Sequence, residues 1–202
     1  MPPPLLLIGL RGSGKSTLGR LLARRLGRAF LDLDDAVLEH LGFTTVADAW
    51  TTLGEPAFRK AETECLRACL TAEAGRPGQE RAQSAPDAQV VALGGGTPTA
   101  PGAADLLRDA SNSHAATIVY LRARPDTLRA RLGPAADANR PALTDTNTLD
   151  EVDAVFAARD PLYQALATEI IQIDSPPDPH HPESDTTIDA LVDRLCTLAN
   201  NS

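Results

Sequence analysis

One run of nine residues, Gly9-Leu10-Arg11-Gly12-Ser13-Gly14-Lys15-Ser16-Thr17, constrains this chain more than any other. It follows the apolar run Leu5-Leu6-Leu7-Ile8, short enough for a buried parallel strand, and opens a segment of helical periodicity. A strand, a glycine-rich turn ending in Gly-Lys-Ser and a helix, in that order, read as a phosphate-binding P-loop. A triphosphate packs several negative charges into a few ångströms, so it needs backbone N–H groups close on one side; Gly9, Gly12 and Gly14 let the chain curl that tightly. The loop delivers the phosphates to the N-terminus of the helix beginning near Lys15, where unpaired N–H groups and the macrodipole favour negative charge. The nucleotide-binding residues are then Gly12, Ser13, Gly14, Lys15, Ser16 and Thr17, with Lys15 reaching the outer phosphates and Ser16 ligating Mg²⁺. Of nineteen basic residues only Lys15 and Lys60 are lysines. Lysine thus stands where a compact point charge is wanted, in a chain that otherwise uses arginine.

A length of 202 residues is most simply one domain with a substantial core. The net charge of −8 comes without basic runs, which argues against nucleic acid or an anionic membrane surface as partner. An anionic ligand must therefore be caught by locally placed arginines. No apolar run approaches the roughly 20 residues of a membrane span, and Met1-Pro2-Pro3-Pro4 leads into the first strand without a signal-peptide pattern, so a cytoplasmic location is expected. Cys65, Cys69 and Cys196 lack further ligands nearby and read as buried, reduced core thiols.

After the loop, Leu18, Leu21, Leu22 and Leu26 form a helical stripe that ends at Gly27. Residues 29–34, Ala-Phe-Leu-Asp-Leu-Asp, alternate, and on a strand this spacing points Asp32 and Asp34 to one side, at the end of the sheet where open α/β folds bind ligands. From 35 to about 74 the pattern is helical, broken near Gly42 and Gly54, and it places Arg59 and Glu62 on neighbouring faces. Residues 75–88, almost devoid of apolar side chains, read as a surface insertion. Val90-Val91-Ala92-Leu93 is the next buried strand, and Gly94-Gly95-Gly96-Thr97 directly after it suggests close approach of backbone to a ligand.

A short helix around Leu106 and Leu107, a polar loop over 109–114, a strand over 117–121 and a helix from Pro125 follow. Residues 133–145 are loop-like and contain Asn139-Arg140-Pro141. A helix runs from Asp150 to Arg159-Asp160-Pro161-Leu162-Tyr163, and Ile170-Ile171-Gln172-Ile173 is a fifth strand. A Pro-rich loop over 175–185, with His180-His181 taken as solvated, leads to a last helix over 186–199. Five strands alternating with helices give a layered α/β fold with a parallel sheet.

Taken together, the P-loop, Asp-x-Asp, Gly-Glu-x-x-Phe-Arg-x-x-Glu, the glycine triplet, Arg-Pro and Arg-x-Pro-Leu-Tyr closely resemble the shikimate kinases, from about residue 5 to 174. The resemblance implies a three-layer, nucleoside monophosphate kinase-like P-loop fold with a five-stranded parallel sheet flanked by helices. It implies a single domain with a core over about 5–174, a shikimate-binding helical part over about 35–74 and a lid over about 133–145. It further implies transfer of the γ-phosphoryl group of MgATP to the 3-hydroxyl of shikimate, by a protein that is expected to be a monomer. Catalysis would then rest on Asp34, which holds the acceptor hydroxyls, with Lys15 and the lid residue Arg140. Asp32 would be an outer-sphere magnesium partner, reached through water next to Ser16. Arg59, Arg159 and the triplet Gly94, Gly95 and Gly96 would bind shikimate, with Trp50 or Phe58 against its ring. Arg140 would close on the phosphates, and Arg131 would stack on adenine. A related kinase for another small acid such as gluconate, and a non-catalytic nucleotide-binding module, are the competing readings.

Overall fold

The computed structural model describes residues 3–71, 89–132, 148–174 and 188–201. Strands β1 (Leu5–Ile8), β2 (Ala29–Asp32), β3 (Gln89–Ala92), β4 (Thr117–Arg122) and β5 (Glu169–Gln172) form one sheet in the order β2-β3-β1-β4-β5. Every pairing is parallel, with Leu5 opposite Val90 on one side and Thr117 on the other. All four β1 residues are fully buried, as a central strand covered on both faces requires, whereas β2 at the edge is half-buried throughout.

Eight helices connect and cover the strands among the described residues: α1 (Lys15–Leu26), α2 (Leu33–Leu41), α3 (Val46–Leu53), α4 (Glu55–Leu70), α5 (Ala103–Asn112), α6 (Pro125–Leu132), α7 (Thr148–Leu166) and α8 (Ile188–Asn201). α1 packs on the sheet through Leu18, Gly19, Leu22 and Ala23, with Leu26 partly buried against the core; of the expected leucine stripe Leu21 alone is turned outward, 36% exposed. The helices α2, α3 and α4 break at Gly42 and Gly54 as the pattern indicated and pack on one another beside the β2 and β3 edge. None of the helices described is long and apolar enough to cross a membrane.

Three local expectations change. The segment 29–34 is not strand throughout: β2 ends at Asp32, and Leu33 opens α2. Asp32 caps that helix, its Oδ1 accepting from the Asp34 N–H at 3.2 Å, so a side-chain cap wins over continued alternation. Helix α5 continues through the expected loop to Asn112 because Ala110 is buried against the core. The three cysteines are free but half-buried at the margin of the core, where burial raises the Cys65 and Cys196 thiols. The expected insertion over 75–88, the lid over 133–145 with Arg140, and the 175–185 loop lie outside the described residues.

Candidate active site

The site lies at the carboxyl ends of β1, β2 and β3, where three connections converge. A cleft of about 280 Å³ is lined by Arg11, Gly12, Gly14, Lys15, Ser16, Thr17, Asp32, Asp34, Leu93 and Gly95. On one side runs the loop between β1 and α1. Gly14 caps α1 with φ 83°, a left-handed conformation open to glycine, and contributes no side-chain hydrogen bond to the helix start. The first N–H groups of α1 therefore face the cleft without the side-chain acceptor that Asp32 gives α2. The buried Lys15 ammonium donates to the carbonyls of Gly9 at 2.8 Å and Leu10 at 3.1 Å. Ser13 is buried below the loop, its N–H donating to Leu10 O at 3.1 Å and its hydroxyl without a hydrogen-bond partner.

The cleft floor joins two of the expected residues. The Ser16 hydroxyl donates to Asp32 Oδ2 at 2.6 Å, linking the first turn of α1 to the end of β2. Asp34, in the first turn of α2, presents its carboxylate toward the loop after β3: a methyl group added at Gly94 would run into Asp34 Oδ1 and lie 2.9 Å from Glu62 Oε1. A methyl group at Gly96 would collide with the Arg59 guanidinium. Gly94 and Gly96 are thus needed because charged side chains, Asp34 and Glu62 at the first and Arg59 at the second, press against backbone here. Gly95 faces the P-loop instead, 3.1 Å from the Arg11 nitrogen to an added methyl group.

Arg59 sits in the first turns of α4, held by Glu62 at 2.8 Å and Glu55 at 3.1 Å. Burial works against its charge, but the Glu62 carboxylate, with Glu55 adding to it, outweighs that and holds the guanidinium above its ordinary value. Glu62, 2% exposed at its side chain, is fixed in turn by the buried Thr97 hydroxyl, which donates to Oε1 at 2.6 Å. Trp50 lies under Arg59, ring centroid 5.4 Å from the guanidinium carbon, and meets Phe58 edge-on at 6.1 Å. Phe58 is buried core, whereas Trp50 is half-buried with an indole N–H that has no hydrogen-bond partner.

Arg159 reaches the same loop from α7, donating to the Gly95 carbonyl at 3.0 Å, and the Tyr163 hydroxyl donates to that oxygen at 2.7 Å. Burial pushes the Tyr163 phenol up to about 12 although the Arg159 charge opposes it, so it remains a donor. The described site thus brings together Lys15, Ser16, Asp32, Asp34, the triplet, Arg59 and Arg159. Arg131 stands apart, at the end of α6, donating to Ile173 O at 3.0 Å beyond β5. Sequence reasoning gave no role to Thr97, Tyr163 or Arg11. Thr97 follows the triplet directly, and Tyr163 stands one helical turn after Arg159, which puts both arginine and phenol on one face.

A phosphate loop at the switch between strands, a lysine and a hydroxyl–carboxylate pair beside it, and two arginines across the cleft define a small-molecule P-loop kinase. The family model for shikimate kinase matches residues 11–195. The shikimate kinase of Mycobacterium avium (strain 104) is 38% identical over 175 residues, covering 87% of this chain and 85% of that one. That of Rhodopirellula baltica is 40% identical over 171 residues, covering 82% and 79%. Among solved structures, shikimate kinase from Acinetobacter baumannii in complex with shikimate aligns with a TM-score of 0.76 at 27% identity, covering 100% of this chain and 94% of that one. Shikimate kinase from Bacteroides thetaiotaomicron aligns with a TM-score of 0.72 at 28% identity, over 99% of each chain. The chain belongs to the shikimate kinase family and is an ATP-dependent kinase.

Proposed function

We propose that the protein transfers the γ-phosphoryl group of MgATP to the 3-hydroxyl of shikimate, giving shikimate 3-phosphate and ADP, a step toward the aromatic amino acids. The observation that carries this is the meeting of Asp34, Arg59 and Arg159 around Gly94, Gly95 and Gly96, across the cleft from the phosphate loop. A ring with one carboxylate and neighbouring hydroxyls matches that set: two guanidinium forks for the carboxylate, one carboxylate for the hydroxyls.

Lys15 exchanges its two carbonyl partners for phosphate oxygens, a trade favoured because the new acceptors carry charge. Gly12, Ser13, Gly14 and Thr17 surround the phosphates with backbone N–H groups at the start of α1. Ser16 would ligate Mg²⁺ and Asp32, hydrogen-bonded to it at 2.6 Å, would hold the ion through water, which fits a cation that keeps much of its hydration shell. When bound, Mg²⁺ neutralises phosphate charge as it shifts toward the leaving group. Asp34 orients the attacking hydroxyl and accepts its proton; in a largely dissociative transfer, orientation counts for more than basicity. Arg140 is assigned to close over the phosphates and Arg131 to border adenine, both from their places in the sequence.

ADP formation from MgATP, measured with shikimate, with gluconate and with no acceptor, tests this. Turnover that depends on shikimate and not on gluconate is expected; equal stimulation by gluconate would move the assignment to another acceptor.

A further inference from the structure

Asp160 follows Arg159 in α7 but turns the other way, into the sheet, where it is 6% exposed. Its carboxylate accepts four hydrogen bonds. Arg122 donates through Nε to Oδ1 at 2.8 Å and through Nη2 to Oδ2 at 2.9 Å, the Tyr120 hydroxyl donates to Oδ1 at 2.9 Å, and Gln164 Nε2 donates to Oδ2 at 2.8 Å. Tyr120 and Arg122 belong to β4, the strand beside β1, whose end carries the phosphate loop. A bidentate arginine fork fixes direction as well as distance, so this pair sets the rotation of α7 about its axis, not only its height over the sheet. The Tyr120 ring also meets the Tyr163 ring at 5.5 Å and 82°, and the Arg122 guanidinium lies 5.3 Å from the Phe156 ring.

The helix needs an external tether at this turn. Pro161 lies inside α7 and has no N–H to give the ladder, which weakens the backbone that carries Arg159 and Tyr163. Both of those side chains must nonetheless arrive at one oxygen, the Gly95 carbonyl. A rotation of the turn would carry them off it together.

We propose that Asp160 is a positioning residue for the acceptor site: it locks α7 onto β4 through Arg122 and Tyr120, so that Arg159 and Tyr163 are presented to Gly95. This rests on the assignment of Arg159 to the acceptor's carboxylate. Asp160 touches neither acceptor nor nucleotide, so its effect is directed at one substrate only.

Initial rates of the full-length protein, Asp160→Ala, Asp160→Asn and Arg122→Gln test this, with shikimate varied at saturating MgATP and MgATP varied at saturating shikimate. Asp160→Ala is expected to raise the KM for shikimate about tenfold or more while the KM for ATP moves less than about twofold. Asp160→Asn keeps the shape and an acceptor for Tyr120 and falls between, and Arg122→Gln follows Asp160→Ala. A fall in kcat with both KM values unmoved, as from less folded enzyme, or a parallel rise in both, overturns the proposal. Should Asp160→Ala fail to fold, Tyr120→Phe removes a single donor and is expected to show the same asymmetry at about threefold; an unmoved shikimate KM there and in Asp160→Asn overturns it equally. Absence of shikimate turnover in the unmutated protein counts against the proposed function, whereas normal turnover with unmoved shikimate KM values counts against Asp160 alone.

Discussion

The Ser16 hydroxyl and the Asp32 carboxylate share a 2.6 Å hydrogen bond across the cleft floor, and the other oxygen of Asp32 caps α2. One side chain therefore closes a helix and faces the nucleotide. The two tasks separate by substitution. Asp32→Asn keeps a good cap but loses the charge, so the denaturation midpoint should stay near normal while the Mg²⁺ concentration needed for half-maximal rate rises. Asp32→Ala loses both, adding a stability loss of about 1 kcal/mol. Equal Mg²⁺ dependence in all three proteins would remove Asp32 from the metal site.

Asp34 stands against Gly94, where no side chain could be accommodated between them. Asp34→Asn should lower kcat about a hundredfold or more, because orientation and proton acceptance are lost together, with little change in the KM for ATP. Near-normal turnover would contradict the assignment.

Arg59 is bound to a carboxylate that is itself almost wholly buried. Arg59→Ala removes the acceptor contact and also strands Glu62, which then keeps Thr97 as its hydroxyl donor. Weakened shikimate binding with intact ATP binding is expected, together with a stability loss of about 3 kcal/mol, within the range for breaking a buried pair. Trp50, the sole tryptophan, lies 5.4 Å from the Arg59 guanidinium and gives an optical readout of both shikimate binding and unfolding. Loss of ATP and shikimate affinity in equal measure would argue against a carboxylate role.

The two tyrosines of the chain are Tyr120 and Tyr163, and burial raises both phenols, Tyr163 to about 12 and Tyr120 further. A raised value in the folded protein favours the protonated form. The corresponding stability is therefore present below the ordinary value of 10 and is lost as pH rises through about 12. Ultraviolet titration should show almost no tyrosinate at pH 10 while the circular dichroism remains native. Half-ionisation at pH 10 in the folded protein would mean that the hydroxyls are not held as described.

How far the site was legible in the sequence follows from the range of the interactions. The P-loop is a local pattern, and Lys15, Ser16 and the start of α1 lie where the motif put them. Arg59 and Glu62 are three residues apart on one helix, so helical spacing alone brought them together. The boundary at Asp32 was missed because alternation cannot distinguish a strand residue from a helix cap that follows the strand. The convergence of Arg159 and Tyr163 on Gly95 was beyond pattern reading, since these contacts span 64 and 68 positions and depend on how α7 crosses the sheet. The same holds for Asp160, whose partners in β4 are about forty residues away.

The most direct test of the account compares kcat/KM for shikimate and for its methyl ester, at saturating MgATP. If Arg59 and Arg159 grip the carboxylate opposite Asp34, the free acid is phosphorylated and the ester, which keeps every hydroxyl but loses the charge, falls about a hundredfold or more in kcat/KM. An ester phosphorylated as efficiently as the acid would contradict the arginine assignment, and no phosphorylation of the acid would contradict the proposed reaction itself.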